Sequence, residues 1–405
     1  MNEEFFSNFL HVNTFTAFGV MLLVGLVGGQ LAHLMRYIPR ITGYILMGFL
    51  LGPRVSGFLT AEIISQSAIL KELAIGLILF ELGLQIRLKY ILSNPAIILT
   101  AVFQGAAVFF LIFIGLFLLD FSWTISALSA AIGISISPAV TLLIANEYNA
   151  QGTVVEHSLI LTALNNIIAF LVYACIVTIA QHSETNQHHF YGFLIEWLYP
   201  LYRMVGSIFV AWACSSLMIV LGRFVGKKEN MQFILLVGML AVVLGLSELL
   251  YISPFLSMLG FGLVTVNLDH QNDLMEVELG YLSEIFIVIL FVMVGADLYM
   301  DYFLKAGLFA FCFIILRTIG NTVPVLFIKN ITFKQGMAMG LTFLPMAGIA
   351  IALLDTTKFL THGFHESLSF LILTAVALLE IIGPLTTVMS LRWCGELRKS
   401  HTVEY

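Results

Sequence analysis

The sequence predicts an all-α polytopic membrane protein with about thirteen transmembrane helices, arranged as two inverted six-helix repeats with crossing discontinuous helices. Three observations predict it. The chain is 60% hydrophobic and only 10% charged, against about 25% charged residues in soluble domains, and its mean hydropathy is +1.00. Apolar runs of spanning length recur from one end to the other. Motifs of the first half return in the second after a nearly constant offset.

A spanning helix needs about 20 mostly apolar residues. Such runs lie near 14–36, 40–57, 66–87, 93–120, 123–147, 154–181, 196–223, 230–250, 252–268, 277–299, 302–328, 333–355 and 366–391. The eighth and ninth are separated only by Tyr251-Ile252-Ser253-Pro254. Merging them would make the count even and put both termini on one side. Positive charge supports the odd count. With the amino terminus outside, one set of loops holds Arg36, Arg40, Arg87, Lys89, Arg223, Lys227, Lys228, Lys329, Lys334, Arg392, Arg398 and Lys399. The opposite side holds Arg54, Lys71, Arg203, Lys305 and Lys358, and Arg317 falls inside a span. By the positive-inside rule the carboxyl terminus is cytoplasmic, and the expected home is a bacterial inner (plasma) membrane. The start, Met1-Asn2-Glu3-Glu4, is acidic where a signal peptide is basic.

Gly48-Phe49-Leu50-Leu51 is echoed by Gly260-Phe261-Gly262-Leu263, Ile78–Gly83 by Ile289–Gly295, and Ser137-Pro138-Ala139 by Leu344-Pro345-Met346-Ala347-Gly348. The offsets are 212, 212 and 207 residues. Each moves the chain on by seven spans, and an odd shift inverts topology, as in many secondary transporters. The expected division is a first repeat over 1–195, a linker helix over 196–229, a second, inverted repeat over 230–391 and a short cytoplasmic tail over 392–405.

Proline inside a span removes a backbone donor and clashes with the preceding turn. Helix breaks are therefore expected at Pro138 and Pro345, eased by Gly133 and Gly348. Unwound backbone at membrane depth is tolerated where it is buried in protein or lines a cavity. Two breaks at matching positions predict a crossing near the midplane, with Ser135, Ser137 and Thr342 adding oxygens. Asn165 and Asn166 sit in the span after the first break. Amides coordinate a cation or hydrogen-bond a solute, but cannot carry a proton at pH 7. Arg317 lies too deep to snorkel easily. It calls for a carboxylate, helix-end carbonyls or an anionic solute. Glu81, Glu284 and Glu380 are the carboxylates within spans, Glu380 the most central. Cys175, Cys214, Cys312 and Cys394 form no CxxC pair and read as small buried hydrophobes. The histidines at 182, 188 and 189 read as a solvated loop. No nucleophile motif, phosphate loop, cofactor or nucleic-acid patch is indicated, and no catalytic residue is expected.

Ile41-Thr42-Gly43-Tyr44-Ile45-Leu46-Met47-Gly48-Phe49-Leu50-Leu51-Gly52-Pro53, Phe80–Gln85, Ser135–Asn149, Leu161–Ile168 and Leu290–Leu298 together resemble the monovalent cation:proton antiporters, the sodium/hydrogen exchanger family in the broad sense. The resemblance implies a homodimer whose protomers each hold a dimerisation domain and a mobile core, working by elevator-like alternating access on a monovalent cation, Na⁺ or K⁺, and protons. It implies that Asn165-Asn166 occupies the positions usually reading Asp-Asp, Asn-Asp or Gln-Asp, and that Arg317 is the family's basic residue before the second broken helix. Here Asn166 replaces the ion-binding aspartate, and Pro345-Met346-Ala347-Gly348 lacks the common Arg-Gly-Glu. Either Glu380 or Glu81 then supplies the missing carboxylate, with Arg317 setting its charge, or Arg317 selects an anion. Two other readings stay open: a proton-independent carrier of an anion or small organic solute, and a non-transporting membrane sensor.

Overall fold

The computed structural model describes residues 13–397 apart from 36–37, 186–189, 227–228, 270–280, 298–299, 330, 347, 356 and 358–361. The acidic start, His188, His189, Ala347 and the tail beyond 397 lie outside the described residues, as do Arg36, Lys227, Lys228, Lys358, Arg398 and Lys399. Every regular element among the described residues is helical. Among the described residues, eight helical stretches are long and apolar enough to cross a membrane, and shorter apolar helices lie over Arg40–Leu51, Pro254–Leu268 and Glu284–Ala296. Large apolar side chains such as Phe15, Phe110 and Phe224 point outward, as a bilayer allows and water does not.

The chain divides into two compact units, one comprising residues up to Ile75 with Leu279–Tyr299, the other Gly76–Glu278 with the chain from Met300 onward. The first unit holds α1 (Thr14–Leu34), α2 (Arg40–Leu51), the short α3 (Ala61–Gln66), the start of α4 (Ala68–Leu84) and α13 (Tyr281–Ala296). Its glycines bring helices together rather than bend them. A Cβ on Gly43 would strike the Gly28 backbone of α1, and one on Gly48 the Val292 backbone of α13. A Cβ on Gly295 would in turn strike Ile45. The glycine-spaced motif at 43–53 is thus the surface on which α2 meets two neighbours. Lys71 pairs with Asp297 at 2.7 Å.

The second unit holds the rest of α4, α5 (Leu88–Ser93), α6 (Pro95–Phe117), α7 (Trp123–Gly133), α8 (Pro138–Glu147), α9 (Thr153–Thr185), α10 (Phe190–Val225), α11 (Glu229–Leu249), α12 (Pro254–Leu268), α14 (Met300–Val325), α15 (Phe333–Thr342), α16 (Gly348–Asp355) and α17 (His362–Cys394). Here α4 and α12 repeat the close glycine contact. A Cβ on Gly262 would strike Phe80, and one on Gly83 would strike the backbone of Leu259 and Leu263. Gly83 is the glycine that echoes Gly295 in sequence, and the two share this packing role. Gly260, the echo of Gly48, meets only the Ala211 side chain, and Gly262, two residues on, makes the close contact instead. The doubtful boundary before α12 is a true turn. Tyr251 adopts a positive φ of 53°, and the Ser253 hydroxyl accepts the Leu256 N–H to start α12. Other ends moved: α2 stops at Leu51, six residues short of the expected limit, where Gly52 and Pro53 follow. α9 runs on to Thr185, so His182 falls in its last turn and not in a loop.

Candidate functional site

Two helices of the second unit are interrupted, and the interruptions touch. The backbone leaves α7 after Gly133 and re-enters at α8, where Pro138 takes the first helical position. Proline's fixed φ suits that position and its missing N–H is no loss there. Likewise α15 ends at Thr342 and α16 begins at Gly348, with Pro345 in the unwound stretch between. The Ser137 N–H donates to the Pro345 carbonyl at 3.0 Å. Simple kinks in continuous helices are thereby excluded.

Unwound segments strand backbone groups that a helix would have paired, and buried ones need partners. Asn166 supplies two of them. Its Oδ1 accepts the Ile136 N–H at 3.0 Å and its Nδ2 donates to the Ile136 carbonyl at 2.9 Å. The amide mimics a neighbouring strand, completing both polar groups of one residue. Arg317 supplies four more. Nε donates to Gly133 O at 2.9 Å, Nη2 to Ser135 O at 2.7 Å, and Nη1 to Phe343 O and Leu344 O, both at 2.9 Å. These carbonyls lie at or just beyond the carboxyl ends of α7 and α15. Each such end carries roughly half a negative charge, so one guanidinium balances two half-helices. Of the three partners the sequence left open for Arg317, the helix-end carbonyls receive these bonds.

The predicted hydroxyls are mostly turned inward. Ser135 Oγ donates to Ile132 O at 2.7 Å. Thr342 Oγ1 donates to Met339 O and shares a 2.8 Å bond with Ser158 Oγ on α9. The Thr141 hydroxyl of α8 donates to Thr342 O at 3.3 Å, tying the two broken helices again. Ser137 contributes its backbone, and its side chain is buried.

Asn165 faces away from its neighbour, as successive residues on a helix must. Its Nδ2 donates to Leu161 O and to Gln104 Oε1 on α6, the latter at 2.7 Å. Gln104 Nε2 in turn donates to Asn321 O and Oδ1 on α14, at 3.0 and 3.1 Å. All three amides are buried, and Asn321 lies one turn beyond Arg317. This chain links the helix of the twin amides to the helix of the guanidinium. Asn165 Oδ1 and the hydroxyls of Thr162, Ser126 and Ser129 are buried with no hydrogen-bond partner among the described residues. Buried oxygens in that condition mark places for water or an ion.

The candidate carboxylates separate. Glu380 on α17 is 0% exposed. It stands three residues before Gly383, whose face packs on the Pro345 ring, and residues three apart share a helix face. Glu81 does not reach the crossing. It accepts from Asn146 Nδ2 at 3.0 Å, near the far end of α8, about 12 Å along the axis from Pro138 at 1.5 Å per residue. Glu284 is exposed on α13. Among the described residues, Arg317 and Glu380 are the only Asp, Glu, Lys or Arg side chains that are buried.

A family model described as the transmembrane sodium/hydrogen exchanger matches residues 15–393. The chain belongs to the sodium/hydrogen exchanger family. Two solved structures of a sodium proton antiporter from Methanocaldococcus jannaschii share its fold. The one determined at pH 8 is 17% identical, with 95% of this chain and 97% of that one covered and a TM-score of 0.66. The other, from electron microscopy, is also 17% identical, covers 96% and 97%, and has a TM-score of 0.71. No curated protein matches the chain. Family membership fits an integral membrane transporter.

Proposed function

We propose that this exchanger-family member moves a monovalent cation, Na⁺ or K⁺, against protons by elevator-like alternating access, and that Glu380 is bound in turn by proton and cation. Exchange needs one group that alternates between those two states. The Asn166 amide cannot do so, and it is already engaged with Ile136. What carries the reading is the burial of Glu380 one turn from the residue that packs on Pro345. Asn165 Oδ1 and Thr162 Oγ1, with Ser126 Oγ and Ser129 Oγ, are among the buried oxygens without a hydrogen-bond partner among the described residues, and so are candidates for a cation's coordination. Arg317 holds the half-helices in register. With four of its N–H groups committed to carbonyls, it is a poor anchor for an anion, which weighs against the anion-carrier reading. The same proposal takes the protein as a homodimer in a bacterial inner membrane, amino terminus outside and carboxyl terminus in the cytoplasm, with six-helix repeats over 1–195 and 230–391 about a linker helix over 196–229. It uses no cofactor and no enzymatic step.

Proteoliposomes loaded with a pH dye test it. Addition of Na⁺, K⁺ or Li⁺ should drive proton movement in the wild type and not in Glu380→Gln. Silence in the wild type, equal to empty liposomes, would favour the sensor reading. Flux that survives Glu380→Gln would remove Glu380 from the mechanism.

A further inference from the structure

Away from the crossing, the second unit encloses a cavity of about 280 Å³ between α9, α10, α12 and α16. Its wall is largely aromatic and aliphatic, built on Phe170, Met204, Phe255 and Leu353. The polar groups in that wall already have work. The Tyr173 hydroxyl donates to Leu353 O at 2.7 Å, and the Ser253 hydroxyl caps α12. Arg203 is the one charged side chain among the described residues that line it, and it too already has a partner. Leu171 and Leu201, also in the wall, are 41% and 50% exposed on membrane-spanning helices. The exposed rim of the cavity is thus apolar side chain on helices of spanning length.

We propose that this cavity is a lipid site, taking an acyl chain of an anionic phospholipid from the surrounding bilayer with the headgroup phosphate at Arg203. Left empty, an apolar wall of this kind forfeits the contacts its lining could make. The bilayer is the adjacent source of apolar matter of the right shape. The volume lies just under the 300–1,000 Å³ range of sites for drug-sized ligands, and suits one chain, not a whole lipid. Arg203 sets the headgroup, because a basic side chain at a pocket between transmembrane helices favours an anionic lipid over a zwitterionic one. The walls α9 and α16 are the helix of Asn165-Asn166 and the helix after the second break. A bound chain would thus bear on the crossing assembly whichever ion it handles.

The full chain, purified and reconstituted into nanodiscs of phosphatidylcholine with and without phosphatidylglycerol, is released into native mass spectrometry to count retained lipids by headgroup. The wild type should retain one phosphatidylglycerol several-fold over phosphatidylcholine. Arg203→Gln should still retain a lipid but lose the preference. Ala174→Phe and Ala352→Phe, which fill the cavity from two separate walls, should each lose the lipid, and either one that yields a monodisperse protein suffices. No headgroup preference in the wild type, a preference unchanged in Arg203→Gln, or wild-type retention in a filled variant would each overturn the proposal.

Discussion

Replacing Arg317 by methionine removes a side chain whose stabilising role follows from its partners. Four carbonyls lose their donor, and an unsatisfied buried acceptor costs about 1–3 kcal/mol. The gross loss is then roughly 4–12 kcal/mol, since α7 and α15 also keep two like-signed ends facing each other. Against this, the variant no longer has to strip water from a guanidinium, which costs several kcal/mol. The net is a destabilisation of about 3–5 kcal/mol. For a large chain, about 2 °C per kcal/mol is the appropriate scale, so the melting point should fall by about 6–10 °C. Intrinsic-fluorescence unfolding of the detergent-solubilised protein, with size-exclusion chromatography to confirm monodispersity, reads this directly. Arg317→Lys keeps the charge but not the fork that spans both helix ends, and should fall between the two. An Arg317→Met melting point within a degree of wild type would show that the carbonyls do not depend on the guanidinium, and the account of the crossing would fail.

Asn166→Asp should be destabilised by about 1–3 kcal/mol, because a carboxylate cannot donate to Ile136 O and faces it with like charge; added Na⁺ should restore part of the melting point. Gln104→Leu, nearly equal in volume, breaks the amide chain between α9 and α14 and should lose about 1–3 kcal/mol in the same assay, while leaving the Arg317 contacts unaltered. Glu396→Ala removes a carboxylate that accepts the Val154 and Val155 N–H groups at 2.8 and 3.0 Å at the start of α9. Its loss should cost about 1–2 kcal/mol as a missing cap, with Glu396→Gln recovering some of it.

Much of this architecture is readable in the residues. Hydropathy gives the helical segments, and the shared offset pairs Gly83 with Gly295 before their close contacts are known, while it pairs Gly48 with Gly260 and so misses by two residues the glycine at 262 that makes the contact. Pro138 and Pro345 locate the breaks because proline acts on its own backbone. The partners of polar groups are harder, since they depend on which way a helix is turned. Asn165 and Asn166 look like one feature in sequence, yet a helix rotates about 100° per residue, and the two amides serve different neighbours. Glu81 and Glu380 look equivalent until depth along the helix is known. Gln104 carries a signal in the sequence: it is the single amide in the apolar run 93–120 apart from Asn94 at its start, and an isolated polar residue at that depth seeks a partner. Thr141 and Ser158 left none, because a hydroxyl in a helix can satisfy itself on the preceding turn.

Infrared difference spectroscopy on the reconstituted protein tests the assignment of Glu380 most directly. With protons bound, one buried carboxylic acid should absorb in the C=O stretching region, and Na⁺ or K⁺ added at constant pH should convert it to carboxylate. The band and its cation response should both vanish in Glu380→Gln and persist in Glu81→Gln. A cation-induced difference spectrum with no carboxyl signal, or one unchanged by Glu380→Gln, would contradict the claim that Glu380 carries the exchange.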